Sequence, residues 1–206
     1  LGEIFGLHAL ALEDVMGAHQ RPKIEAYGDH VFIVARLVSL CERLETEQIG
    51  LFLGPGYVLT FQESPGDCFE PVRERLRGAR GRIRTLGADY LAYALIDATV
   101  DHYFPVLEEF GERLDTLEEE VLNDPDPHIV SKLMDVRRDL LALRRSAWPM
   151  RDTLSALMRD DLPVFTDDTR VYLRDCHDHA MRLVDLTENF RELGTGLLEV
   201  YLAVAS

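Results

Sequence analysis

The chain has no run of about 18 or more apolar residues, so nothing in it is long and apolar enough to cross a bilayer as a helix. Cysteine is scarce. Cys41, Cys68 and Cys176 are odd in number and none are spaced C-x-x-C, which argues against a disulfide scaffold or a zinc ribbon and fits a reducing compartment. Positive charge is also short: 22 Lys and Arg stand against 37 Asp and Glu, a formal net charge of −15. Phosphate binding needs a basic face, so nucleic acid is not expected as a partner. Cations are the natural company of such a chain, although self-repulsion that keeps an acidic protein dispersed explains the same number. Catalytic signatures are missing as well. There is no G-x-S-x-G, no H-E-x-x-H and no Walker loop, and the chain does not read as an enzyme. No signal peptide opens it, no Met starts it, and its last residues fall inside a helical pattern without a stop signal. These ends read as those of a fragment.

The residues present divide the chain near residue 86. Leu7 to Met16 carries apolar residues at helical spacing with Gly17 as a stop. Val31 to Val38 is β-branched and mostly apolar, as a buried strand requires. Gln48 to Leu53 and Tyr57 to Phe61 are two further strands joined by a Gly54-Pro55-Gly56 turn, and Pro71 to Arg77 opens a helix. So few strands do not close a sheet, and preceding residues are expected to add others. After residue 86 the pattern is helical throughout. Val100, Phe104, Leu107, Gly111, Leu114, Leu117 and Val121 form one seam, which Asn123 to Pro127 breaks. Ile129 through Leu157 form a second, with Pro149 expected to bend it. After a loop at Leu162-Pro163, the third seam is Tyr172, Cys176, His179, Leu183, Leu186, Phe190, Leu193, Leu197 and Val200. A helix from Asp168 to Ser206 is ~58 Å long at 1.5 Å per residue, which suits a stalk or an oligomer seam as well as an ordinary three-helix bundle.

Three groups carry candidate chemistry. Asp175 and His179 are four apart and share a helix face, whereas His177 and His179 do not. A metal or proton site and a hydrogen-bonded interface histidine both fit. The arginines from Arg73 to Arg84 are either an anion patch or a solvated helix end paired with acidic neighbours. The acidic stretch Glu108 to Asp126 either gathers hydrated cations or is a solvated face.

Five segments, in order, carry a resemblance: Gly6 to Leu37, Gly66 to Arg75, Asp89 to Tyr103, Leu143 to Asp152 around Trp148-Pro149, and Tyr172 to His179. Together they resemble the cytoplasmic, soluble domain of CorA magnesium transporters over essentially the whole chain. In the first segment an acidic pair ends a short helix, a His-Gln-Arg-Pro-Lys turn follows, and a buried strand comes next.

The resemblance implies an α+β fold, with a mixed α/β/α sheet domain (its C-terminal part at 1–86) followed by a helical region at 87–206. That region would hold an acidic helical hairpin at about 87–160 and a stalk helix at about 168–206. It implies a homopentamer at the cell inner membrane, with this part on the cytoplasmic side, anchored by transmembrane helices and a Gly-Met-Asn loop beyond this sequence. It further implies regulatory Mg2+, with Co2+ as a surrogate, bound between subunits: Asp14 of one subunit would meet Asp175 of the next. Glu13, Asp97 and Asp175 would hold a second ion. Oxygen-only ligands suit a hard cation that keeps most of its waters. A related zinc transporter, a scaffold that never meets a membrane and, more remotely, a metal-dependent hydrolase are the competing expectations.

Overall fold

The computed structural model describes residues 1–17, 20–123, 126–159 and 162–204. His19 of the expected turn, Asp124-Pro125 of the helix break, Asp160 and the terminal Ala205-Ser206 lie outside them. Two short helices, α1 (Gly2–Phe5) and α2 (Ala9–Met16), precede four strands: β1 (Lys23–Tyr27), β2 (His30–Leu40), β3 (Leu44–Gly54) and β4 (Tyr57–Gln62). Five helices follow: α3 (Glu70–Arg77), α4 (Ala88–Asp101), α5 (Tyr103–Asn123), α6 (His128–Arg159) and α7 (Asp167–Val204). Among the described residues no helix is long and apolar enough to cross a membrane.

The strands form an antiparallel meander in the order β1-β2-β3-β4. The alternation of β2 and β3 sets its two faces. Val31, Ile33 and Ala35 oppose Leu53, Leu51 and Ile49 on one face, while Phe32 stacks on Phe52 on the other at 4.5 Å. Helix α2 covers the Phe32 face through Ala11 and Val15. It lies close because residue 50 is glycine: a Cβ there would stand 3.1 Å from Val15 Cγ2 and 3.3 Å from the Phe32 ring. The opposite face packs against α4 and the long helices in the main core. Strand β1 is an addition to the sequence reading. It pairs with β2 through the two-residue turn Gly28-Asp29, where Gly28 has φ +65°.

The helical part follows the sequence reading with two differences. The seam read as one helix from Val100 is divided at His102 into α4 and α5. Pro105 explains the break, because its ring cannot tolerate a helical carbonyl four residues upstream but is at home in a first turn. In α7 the buried face is Leu173, Cys176, Ala180, Leu183, Thr187, Gly194, Leu197 and Tyr201. Tyr172, His179 and Val200 therefore flank the seam rather than form it. Leu193 and Val200 stay exposed, with Leu202 and Val204 beyond them. Helix α6 runs unbroken through Pro149, and its expected seam from Ile129 to Leu157 is buried.

Candidate metal centre

Helices α4 and α7 run parallel, and three contacts in succession set their register. At the first, Asp89 in the opening turn of α4 accepts from the backbone N–H and the hydroxyl of Thr166, at 2.9 and 2.7 Å, and so caps the start of α7. Next, the rings of Tyr90, Tyr93 and Tyr172 meet at 5.1 to 5.4 Å. One to two turns further on, Asp97 and Asp101 of α4 come opposite Asp175 and His179 of α7.

Ligand atoms of Asp97, Asp101 and His179 all lie within 4.8 Å of one another. His179 Nδ1 is 3.3 Å from Asp101 Oδ1, yet buried without an aligned hydrogen bond. Asp97 accepts a hydrogen bond from the Tyr93 hydroxyl at Oδ2, at 3.2 Å, and lies beside the Cys176 thiol, while its Oδ1 is buried without an aligned partner. Burial pushes the Asp97 carboxyl above its ordinary range, with Asp101 and Asp175 adding to the shift and the Tyr93 hydrogen bond and His179 opposing it. Burial likewise holds the neighbouring Cys176 thiol well above its usual value, so it stays neutral. The same carboxylates open onto a cavity of about 280 Å³ between α3 and α4, rimmed by Arg75 and His102. An unpaired buried carboxylate oxygen beside a second carboxylate and an imidazole is an arrangement that a cation would relieve.

Of the residues expected to hold metal, Asp97 belongs to this cluster, and Asp175 is near enough to act on its charge. Asp14 and Glu13 do not join them. They sit at the end of α2, on the other face of the sheet, where the Asp14 carboxylate takes the Lys23 ammonium at 2.6 Å and Glu13 is exposed. Asp101 was absent from the expected set. Its signal was available: Asp97 and Asp101 repeat the four-residue spacing of Asp175 and His179.

The other two candidate groups resolve into ion pairs. Arg73 pairs with Asp67 and Glu70, Arg77 with Glu70, and Arg82 with the Tyr172 hydroxyl and Asp168. The run is a solvated helix end. In the acidic stretch, Glu109 pairs with Arg113 and Glu120 with Lys132, and most of its described acidic residues are exposed.

An antiparallel sheet on a bundle of long helices, with carboxylates gathered where two of them run parallel, is an α+β architecture that carries a candidate cation site. The match to known proteins makes this specific. The family profile described as CorA-like Mg2+ transporter protein matches residues 1–206, and the chain belongs to that family. It is 46% identical, over 100% of its own length and 60% of the relative's, to the cobalt/magnesium transport protein CorA of Thermotoga maritima. It is 33% identical, over 100% of its length and 64% of the relative's, to the putative metal ion transporter YfjQ of Bacillus subtilis. The chain thus spans somewhat under two thirds of these two curated relatives. Its fold matches the structure of the soluble domain of CorA from Methanocaldococcus jannaschii with a TM-score of 0.86, at 21% identity, over 98% of this chain and 81% of that one.

Proposed function

We propose that this chain is the magnesium-sensing part of a CorA-type divalent-cation transporter. It stands on the cytoplasmic side of the cell inner membrane and controls a pore formed by residues beyond this sequence. The full-length protein is a homopentamer. In this reading Asp14 of one subunit and Asp175 of the next share a regulatory Mg2+, for which Co2+ substitutes. Glu13, Asp97 and Asp175, joined by Asp101, hold a second ion beside it.

The observation that carries the reading is Asp97. Its buried, unpaired oxygen faces a second carboxylate, and its charge is disfavoured until something positive arrives. The placement of Asp14 supports sharing between subunits. Within one chain α2 packs on one face of the sheet and α4 on the other, an arrangement that favours taking Asp14 and Asp175 from different chains. The exposed Leu193, Val200 and Val204, at sevenfold and fourfold spacing on α7, are what a stalk packed against copies of itself presents.

Bound ions neutralise carboxylates that otherwise repel, and so favour the closed ring. When magnesium falls the ions leave, and the α7 stalks carry the loosening toward the pore. The shift equals the difference in affinity between the two states. One ion at tenfold its dissociation constant contributes about 1.4 kcal/mol, and several sites around a ring sum to a steep switch.

The test is limited proteolysis of the full-length protein across a magnesium series at constant ionic strength. Protection is expected to rise with magnesium and to be lost in the Asp14→Asn/Asp175→Asn double variant. Equal protection in both defeats the reading. A zinc-directed version of the same site is the second reading, favoured by the His179 nitrogen, which suits a borderline ion better than a hard one. Protection by zinc at concentrations far below those of magnesium, lost in His179→Ala, would select it.

A further inference from the structure

Lys23 is one of only two lysines in a chain whose cations are otherwise arginine. It opens β1, the edge strand, and its register opposite Val34 puts it on the face that α2 covers, together with Glu25 two residues on. There the ammonium stands between two carboxylates, 2.6 Å from Asp14 Oδ2 and 2.9 Å from Glu25 Oε1. The Tyr27 hydroxyl donates to the other oxygen of Glu25 at 2.7 Å, which keeps that carboxylate turned toward Lys23. Gln48 fixes the backbone beneath. Its Nε2 donates to the Asp14 carbonyl and its Oε1 accepts from the Gln20 N–H, both at 2.8 Å, so the end of α2 is tied to β3. Asp14 is therefore held in place by its backbone, while its carboxylate is held by a cation.

We infer that Lys23 is a built-in competitor for the regulatory cation: its ammonium occupies Asp14 when the divalent ion is absent and must be displaced for the ion to bind. The inference rests on the proposed role of Asp14 and adds to it the element that sets the concentration at which the site responds. Three features suit Lys23 to this task. The ammonium lies where a cation bound between Asp14 and Glu25 would lie. Both members of the pair reach solvent, with side-chain exposures of 31% and 19%, so an arriving ion can take the place of the departing ammonium. The group is also a point charge on a flexible stem rather than a planar guanidinium that would grip the carboxylate with two parallel bonds.

The competition is close in strength. Magnesium surrenders its waters reluctantly, so its hold on one carboxylate is weak, and a partly exposed ion pair is weak too. Removing the ammonium without replacing its charge raises the apparent affinity at Asp14. Displacement also releases Glu25, which then faces the incoming ion with Asp14. The site is set to respond in a higher concentration range than its carboxylates alone would give.

The test measures the magnesium concentration that gives half-maximal protection from limited proteolysis in the full-length protein, without reference to transport. Wild type, Lys23→Met, Lys23→Arg, Asp14→Asn and the Lys23→Met/Asp14→Asn double variant are compared. Lys23→Met is expected to lower the half-point about two- to fivefold. Lys23→Arg is expected to leave it at or above the wild-type value, and the effect of Lys23→Met should vanish when Asp14 is also changed. A wild-type response that depends on Asp14, with an unchanged or raised half-point in Lys23→Met, overturns the competitor and leaves the sensing role standing. A lowered half-point that persists in the double variant also overturns it, because Lys23 would then act through something other than Asp14. A wild-type response indifferent to Asp14 overturns the sensing role and the competitor together. Circular dichroism of Lys23→Met checks the fold, and the partly exposed edge position of residue 23 gives no reason for it to fail.

Discussion

Two aspartates in the same helix have opposite electrostatic positions, and the contrast can be tested. Asp89 is buried but answered by the Thr166 N–H and hydroxyl, and despite the cost of burial its pKa is lowered. Its contribution to stability is therefore present above the ordinary aspartate pKa and is lost as pH falls through the lowered value. Asp97 is only partly answered and its pKa is raised, so charging it costs stability as pH climbs from the ordinary value through the raised one. Asp97→Asn is expected to raise the melting temperature of the metal-free chain at pH 7 by ~2–4 °C, with the gain fading at acid pH. It should also weaken any stabilisation by magnesium. A loss of stability at pH 7 would show that Asp97 is a structural hydrogen-bond acceptor rather than a charge awaiting a partner. Spacing alone paired Asp175 with His179, but it did not say which helix they face. Asp101 came into view only when the Asp89 cap and the tyrosine cluster set α4 against α7.

At the scale of elements, hydrophobic period was the most legible feature. The α6 seam from Ile129 to Leu157 is buried as its spacing predicts. β2, β3 and β4 fall where β-branched runs and the Gly54-Pro55-Gly56 turn put them. β1 escaped notice because Lys-Ile-Glu-Ala-Tyr is too polar and short to stand out, as befits an edge strand with two charged side chains on one face. The α7 seam was read one position off at Tyr172, His179, Leu193 and Val200. Apolar residues occur on both sides of the true stripe, and a period does not choose between adjacent stripes when both are apolar. The joint between α4 and α7 was illegible for a different reason: it depends on long-range contacts, the Asp89 cap and the tyrosine cluster. Asp89→Ala removes the carboxylate that answers the Thr166 N–H and hydroxyl. It is expected to cost about 1–3 kcal/mol, or roughly 3–10 °C in melting temperature. The deficit should shrink as pH falls through the lowered Asp89 value. A deficit independent of pH would locate the effect in packing instead of the cap.

At the scale of the whole molecule, one chain presents half of each proposed shared site on either side of its sheet. Asp14 lies at the end of α2 on one face, paired with Lys23, and Asp175 lies on α7 on the other side, beside Asp97 of α4. The latch of the β2–β3 hairpin on the long helices helps to keep these halves in fixed relation. There Arg43 binds Asp139 at 2.8 Å and Asp135 at 3.1 Å, and Arg113 donates to the Cys41 carbonyl at 2.6 Å. A rigid body with a half-site on each side is suited to closing a ring and to reporting whether its ions are in place. The most direct measurement of that claim uses mixed assemblies. Full-length Asp14→Asn and Asp175→Asn subunits are each made alone and then co-assembled in equal amounts, and magnesium-dependent protection from proteolysis is compared. If the ion is shared between neighbours, each variant alone fails to respond. The mixture then recovers part of the response, because intact Asp14 of one subunit meets intact Asp175 of the next. A mixture as unresponsive as its parents, or full response in either parent alone, would contradict the account.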